Sequence, residues 1–401
     1  MIDYAEAVRR VIARAKPLTA ESVRLAGSLG RVLARNIKAG APIPPFDKAA
    51  MDGYAVRAED TRPPAGDRAA ELAVVEDLPA GRVGRSAVGS GRAVRIMTGA
   101  PLPRGADAVV MVEDTKKSGN KVRIFRAAAP GDNIGRAGED LRKGDLVLKK
   151  GDLIGPAEVG MLAALGLDSV RVIRRPKVSV VATGDEIVEP GEKAGPGRIW
   201  NANGYSLLSL ALQAGADASY LGIARDRNSR LKLKLRMSGE ADVVVVSGGV
   251  SVGDYDLVKD ELRDLGVRPV FWRVRIKPGK PTFFGVRGGQ LVFGLPGNPT
   301  SAMVTFHLFV RPAIDRMLGR TRPGLRSGRA VLDEEIKVTP GRTQFQRGIL
   351  TGAGPVLRVV PFPDQQSGVL RSMVGSRILI VVPADSSLIE KGREVEILYL
   401  D

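Results

Sequence analysis

Residues 241–256 read ADVVVVSGGVSVGDYD, four consecutive valines that run into two glycines and then into hydroxyl and carboxylate side chains. A strand that is apolar at every position, not at alternate ones, is buried on both faces, as the strands of a parallel sheet covered by helices are. The neighbouring segments repeat the unit. VSVVAT (178–183) is a second short apolar strand, and NANGYSLLSLALQAG (201–215) has the spacing of a helix closed by Gly215. ASYLGIA (218–224) is again a strand, while NSRLKLKLRMSG (228–239) and DLVKDELRDLG (256–266) are helical. Strands alternating with helices of this length imply βαβ crossovers. QLVFGLPGNPTSAMVTFHLFVRPAIDRML (290–318) adds a strand, a tight turn and one long helix. The expected centre of the fold, over residues 176–321, is a three-layer α/β/α domain with a mostly parallel sheet.

On either side the pattern shortens. Residues 4–16 (YAEAVRRVIARAK) are helical in spacing and stop at Pro17. Over residues 46–133, short alternating runs such as AVRIM (93–97) and DAVVMV (107–112), separated by Gly and Pro, read as a β-rich module. Residues 134–175 hold a strand-like piece and the helix PAEVGMLAALG (156–166). Short strands with Gly and Pro turns return towards residue 401 and predict a small β-barrel or sandwich. A chain of 401 residues is too long for one ordinary core, so the fold class expected is multidomain α/β plus β.

Lys and Arg number 61 against 44 Asp and Glu, a formal net charge of +17. That field attracts anions of some kind: nucleic acid, an anionic membrane or phosphorylated small molecules. Aromatic residues make up only 4%, and no basic stretch is interleaved with them as a base-stacking groove would be. Small anionic substrates are therefore expected, with no nucleic acid and no membrane partner. Cysteine is absent, which excludes disulfides, thiolate metal sites and cysteine nucleophiles together. The single histidine, His307, sits in the apolar run SAMVTFHLFV (301–310) and reads as a packed helix residue. With no 18-residue apolar stretch and no signal peptide, a cytoplasmic protein is expected.

Ligands of open α/β sheets sit beyond the carboxyl ends of the strands. Three loops fall there: TGDE (183–186), SGGVSVGDYD (247–256) and PGNPTS (296–301). Gly248 and Gly249 let backbone N–H groups approach an anion where a Cβ would intrude, Ser251 adds a hydroxyl, and Asp254 and Asp256 add carboxylates. That mixture suits a phosphate with a divalent cation; the plainer alternative is a glycine turn with Asp254 or Asp256 as a helix cap. It is neither a P-loop nor a dinucleotide fingerprint. Pro296 and Pro299 stiffen the third loop, and Ser301 with the first-turn N–H groups offers an anion site, or simply a cap. Lys277-Pro-Gly-Lys280 sets two ammonium groups on a constrained turn, suitable for a compact oxyanion, although solvated hairpin lysines would look the same. Asp52-Gly53 and Thr98-Gly99 are conspicuous, but physical chemistry alone makes them a β-turn and a strand end.

PPFDKAAMDGYAVR (44–57), MTGAPLPRGADAVVMVED (97–114), AGEDLRKGD (137–145), TGDEI, SGGVSVGDYD, IKPGKP (276–281), GLPGNPTSA (294–302) and GRTQFQRG (341–348) occur together and in order. In this the chain closely resembles the molybdopterin molybdenumtransferases (MoeA and the gephyrin E-domain). The resemblance implies four domains: a segmented linker and dimerisation domain (1–45 and 134–175), a β-rich second domain inserted in it (46–133), the molybdopterin-binding α/β domain (176–321) and a C-terminal β-barrel (326–401). It also implies a homodimer, an active cleft between the α/β domain of one subunit and the second domain of the other, and Mg²⁺-assisted, molybdate-dependent cleavage of adenylylated molybdopterin to AMP and the metal cofactor. By motif, Asp226 and Asp256 with Ser251 would hold Mg²⁺ and the AMP phosphate, with Glu186 in the same cleft. Lys277, Lys280 and Ser301 would hold the oxyanion, helped by Arg342 or Arg347 and Ser372. Asp52 and Thr98 would come from the second domain.

The chain departs from the family pattern at Arg273, where Lys is frequent after the FW pair, and at Arg371 and Arg377 in the C-terminal region. Two other functions compete: the related molybdopterin adenylyltransferase, whose loop carries GGTG where this chain has Gly248-Gly-Val-Ser251, and a non-catalytic scaffold or anion-binding protein. A transient contact with the adenylyltransferase also follows from the resemblance. Lysines and hydroxyls read charge and shape, so molybdate and tungstate are equally acceptable to such a site.

Overall fold

The computed structural model of the chain describes residues 1–225, 228–249, 257–352 and 356–400, which form two compact units. Asp226, Ser251, Asp254 and Asp256 lie outside the described residues.

The first unit comprises residues 1–34, 151–155 and 170–401. Its central sheet runs Asp217–Ala224, Lys177–Thr183, Val243–Ser247, Gln290–Leu295, Phe283–Arg287, Arg268–Trp272. The first four strands are parallel, and the last two pair antiparallel. The valine run explains the layers. Val243 and Val245 enter one apolar cluster with Leu207, Ala302 and Phe306, whereas Val244 and Val246 enter another with Leu235 and Leu262. Alternate side chains of one strand thus feed helices on opposite faces, which requires every position to be apolar. Helices Ala202–Gln213 and Pro299–Thr305 lie on the first face, and helices Asn228–Met237 and Leu257–Asp264 supply the second.

The long helix expected after residue 298 is not uniform. Helix Pro299–Thr305 passes into a π segment, Phe306–Val310, and then into helix Arg311–Met317. Pro312 has no N–H to give to the preceding turn, and a ladder that loses a donor rearranges around the gap. His307 lies in that segment, 3% exposed, as the packed residue expected.

Towards the C-terminus the barrel and not the sandwich is found. Strands Thr343–Thr351, Arg358–Pro361, Ser327–Leu332, Glu394–Tyr399 and Ile378–Val382 pair in that order, and the last pairs back on the first. A further short strand, Ile276–Lys277, adds in parallel to the barrel strand, with Lys277 opposite Gln344. Phe345, Leu379 and Leu398 from the barrel share one apolar cluster with the α/β sheet.

The second unit comprises residues 35–150 and 156–169. Its main sheet is six-stranded, in the order Ala108–Met111, Gly53–Val56, Arg92–Ile96, Ala70–Leu78, Lys121–Ile124, Thr115–Ser118. Its core is built by Tyr54, Val56, Val110, Val122 and Ile124. Helix Pro156–Ala164 belongs to this unit. Among the described residues no helix is long and apolar enough to cross a membrane.

Candidate anion-binding cleft

Three strands of the first unit end in the loops singled out by sequence. Lys177–Thr183 leads to Gly184 and Glu186, Val243–Ser247 to Gly248 and Gly249, and Gln290–Leu295 to Pro296 and Pro299. A cleft of about 400 Å³ is lined by Glu186, Gly248, Gly249, Pro296 and Pro299 among others. Gly248 has a φ of +95°, and a Cβ on it would come within 2.5 Å of the Thr183 carbonyl oxygen. Glycine is needed there for two strand ends to approach this closely. Ser247 Oγ donates to the Pro296 carbonyl at 3.3 Å and accepts from Asn203 Nδ2 at 2.9 Å, so the loops are tied to one another. Glu186 is exposed, and its carboxylate has no hydrogen bond or ion pair among the described residues.

A second cleft, about 600 Å³, adjoins the first through Pro281, Pro296 and Asn298. Lys277, Lys280, Ser301 and Arg342 line it, together with Asn298 and Ser367. The Lys277–Lys280 turn is seated on the helix that follows Asn298. A Cβ on Gly279, whose φ is +103°, would meet Thr305 Cγ2 at 2.2 Å. Lys277 is fixed from the other side by its pairing with Gln344, and Arg342 immediately precedes that barrel strand. Among the described residues, the side chains of Lys277, Lys280 and Arg342 carry no hydrogen bond and no ion pair. Three unpaired cations on one cleft repel each other and attract a multiply charged anion.

The helix N-terminus contributes less than its sequence suggests. Pro299 has no N–H, and the Thr300 N–H donates to the Ser367 carbonyl at 3.2 Å. Asn298, at the cap position, donates instead to Ser367 Oγ at 2.7 Å. Ser301, 4% exposed, remains at the cleft wall.

Arg347 and Ser372 do not line the lysine cleft, although Arg347 borders a neighbouring one of about 610 Å³ that shares Lys277, Pro278 and Gln365 with it. Arg347 is 1% exposed and donates from Nε to Ser372 Oγ at 3.0 Å and from one Nη to the Asp364 and Gln366 carbonyls at 3.0 and 3.1 Å. Ser372 in turn donates to the Val369 carbonyl at 2.6 Å. Burial holds the Arg347 pKa down to about 10, leaving it charged at neutral pH. This pair pins the 364–372 segment, which presents Gln365, Gln366 and Ser367 to the cleft. Ser367 and Asn298 are cleft residues that sequence reading did not assign; the signals were the polar run at 365–367 for Ser367 and, for Asn298, its place inside the PGNPTS loop.

In the second unit, Asp52 and Thr98 meet. The Thr98 N–H and hydroxyl both donate to one carboxylate oxygen of Asp52, at 2.7 and 2.6 Å. These hydrogen bonds, the hydroxyl's first, hold the Asp52 pKa below the usual carboxylate range. Among the described residues no group of three or more His, Asp or Glu is placed to hold a metal ion. Among the described residues that line the glycine cleft, Glu186 supplies the carboxylate.

A mostly parallel α/β sheet with an electropositive cleft beyond its strand ends, completed by a cation from a small barrel, defines an α/β protein with an anion-attracting cleft. Residues 2–166 match the family described as MoeA N-terminal region (domain I and II), residues 179–316 the probable molybdopterin binding domain, and residues 329–400 the MoeA C-terminal region (domain IV). The chain belongs to the molybdopterin molybdenumtransferase (MoeA) family. It is 36% identical over 405 residues to a molybdopterin molybdenumtransferase of Bacillus subtilis, covering 100% of this chain and 94% of that protein. A namesake from Staphylococcus aureus is 34% identical, over 100% of this chain and 96% of the relative. The crystal structure of a molybdopterin biosynthesis MoeA protein from Pyrococcus horikosii is similar with a TM-score of 0.87 at 35% identity, over 100% of this chain and 99% of that one.

Proposed function

We propose that this chain installs molybdate, or tungstate, on the dithiolene of adenylylated molybdopterin and releases AMP. The observation that carries the reading is the set of unpaired cations, Lys277, Lys280 and Arg342, gathered with Ser301 on one cleft that continues into the Gly248–Gly249 loop. The lysine end suits a compact dianion, and the glycine end suits a phosphoryl group that backbone N–H groups approach. Donors already in place where negative charge gathers need no reorganisation during reaction. Arg342 is the barrel's cation for the oxyanion; Arg347 and Ser372 position the segment beside it.

Mg²⁺ belongs to this reading. Glu186, with a carboxylate free of partners among the described residues, fits as one of its ligands, and Asp226 and Asp256, with Ser251, would complete the set. When bound, the ion neutralises charge at the phosphoryl group. We further propose that the two units contain the four domains expected from sequence and that the protein works as a cytoplasmic homodimer, in transient contact with the adenylyltransferase that makes its substrate. What favours a dimer is that Asp52 and Thr98 are prearranged as an exposed pair, useful if presented to the partner subunit's cleft.

The test is single-turnover release of AMP from adenylylated molybdopterin. Release that requires molybdate or tungstate and Mg²⁺ is expected. Release that ignores the oxyanion would overturn the assignment, and synthesis of the adenylylated pterin from ATP would favour the adenylyltransferase.

A further inference from the structure

Ile199 and Trp200 leave two large apolar side chains in solvent, 60% and 58% exposed, at the glycine end of the cleft. The segment is nonetheless held. It pairs in parallel with Ile187 and Val188, and the Ile199 N–H donates to the Glu186 carbonyl at 2.9 Å. The Trp200 indole N–H donates to the Glu192 carbonyl at 3.0 Å. With its one polar atom satisfied, the exposed part of the indole is aromatic surface.

Beside this surface is a recess of about 70 Å³, bordered by Trp200, Asn203 and Ser247. It shares Thr183, Glu186, Ile199, Gly297 and Pro299 with the glycine cleft and no residue with the lysine cleft. That volume admits the edge of a ring, being about two waters' share of liquid volume. At its wall, Asn203 Oδ1 is buried with no hydrogen-bond partner among the described residues. Its amide orientation is determined: Nδ2 lies 2.6 Å from the Gly297 carbonyl, which can only accept. The free atom is therefore an acceptor.

We infer that Ile199 and Trp200 are a platform on which the adenine of the nucleotide stacks, with Asn203 Oδ1 accepting from its exocyclic amino group. The inference rests on the proposed nucleotide substrate. The order of the clefts selects adenine over the pterin. The lysine cleft takes the oxyanion and the dithiolene beside it, the glycine loop takes phosphate, and the recess borders the glycine cleft and not the lysine cleft. In the adenylylated substrate, adenine is what lies across the phosphates from the dithiolene.

The chain has two tryptophans, and Trp272 packs edge-on against Phe283 with ring centroids 4.9 Å apart, so Trp200 is a built-in reporter. AMP titrated into the whole protein with Mg²⁺ should quench the exposed tryptophan emission, and ribose 5-phosphate should not. Trp200→Phe should lose the signal yet bind AMP within about threefold of wild type. Trp200→Ala should weaken AMP roughly 5–150-fold by calorimetry, the range for one base stacked on an aromatic ring, and leave ribose 5-phosphate unchanged. Inosine monophosphate, which sets an oxo group against Asn203 Oδ1, should bind the wild type more weakly than AMP. Full AMP affinity in Trp200→Ala, with melting curves superimposed, overturns the platform while leaving the oxyanion reading intact. A free pterin that quenches Trp200 and displaces AMP overturns the choice of adenine. A wild-type protein that binds no AMP and releases none from the adenylylated pterin removes both this inference and the function beneath it.

Discussion

Arg342 and Arg347 stand close together at one barrel strand and meet opposite fates. Arg342, with Lys277 and Lys280, faces a cleft without a partner among the described residues. Arg347, 1% exposed, gives its donors to two carbonyls and a serine hydroxyl. The difference separates cations kept for a ligand from cations kept for the fold. A buried charge must be hydrogen-bonded to be tolerated, while a cation meant for substrate is weakened by any internal partner that competes. His307 marks a third solution in the same core: burial, aided by the charge of Arg311, lowers its pKa to about 3, so it is simply kept neutral.

Removing the buried cation should have the largest effect. Arg347→Met leaves the Asp364 and Gln366 carbonyls and the Ser372 hydroxyl without their donor, at about 2–4 kcal/mol of stability. Denaturant melts should show the loss, and oxyanion affinity should fall with it as the 364–372 segment loosens. Undiminished stability with lost oxyanion binding would instead put Arg347 among the ligands.

The cleft should answer in the opposite sense. Lys280→Ala removes one charge-assisted contact, worth about 1.5–3 kcal/mol, so the molybdate requirement should rise roughly 10–150-fold. Melting temperature and AMP affinity should stay near wild type. A drop in stability comparable to that of Arg347→Met would erase the distinction between the two kinds of cation.

His307 predicts a pH dependence. Its folded pKa lies below the unfolded one, so below about pH 6.5 the unfolded chain takes up a proton that the native core refuses. Stability should therefore fall as pH drops from about 6.5 towards about 3, by at most about 1.4 kcal/mol per unit. As the only histidine, it should dominate between about pH 6.5 and 5, above the range of ordinary carboxylates; the buried Asp315 carboxyl, whose pKa burial raises, contributes with the opposite sign. Denaturation at those two pH values, repeated with His307→Leu, should show the slope shrink in the variant. Equal slopes would mean that His307 is solvated and not part of the dry core.

The smallest effect belongs to the second unit. Thr98 holds the Asp52 carboxyl below its usual range, and the stability this contributes is present above that range and lost as pH falls through the folded pKa. Thr98→Ala should move the Asp52 titration upwards, read by NMR of the carboxyl carbon. No movement would make their contact incidental.

The amino-acid sequence determined the layered sheet, because a run such as Val243–Val246 has no soluble arrangement except between two helical layers. It also marked Lys277, Lys280, Pro296 and Ser301, since prolines, a required glycine and paired lysines are local and constrain their own turn. It left open barrel against sandwich, which depends on whether Ile378–Val382 closes onto Thr343–Thr351, a pairing between distant segments. It could not choose among Arg342, Arg347 and Ser372. Positions 342 and 347 are an odd number of residues apart, so along a strand they face opposite sides, and the sequence does not say which side is inward. Only the closed barrel, stacked on the same apolar cluster as the sheet, turned Arg347 into the core and brought Arg342 and Ser367 to the lysine cleft.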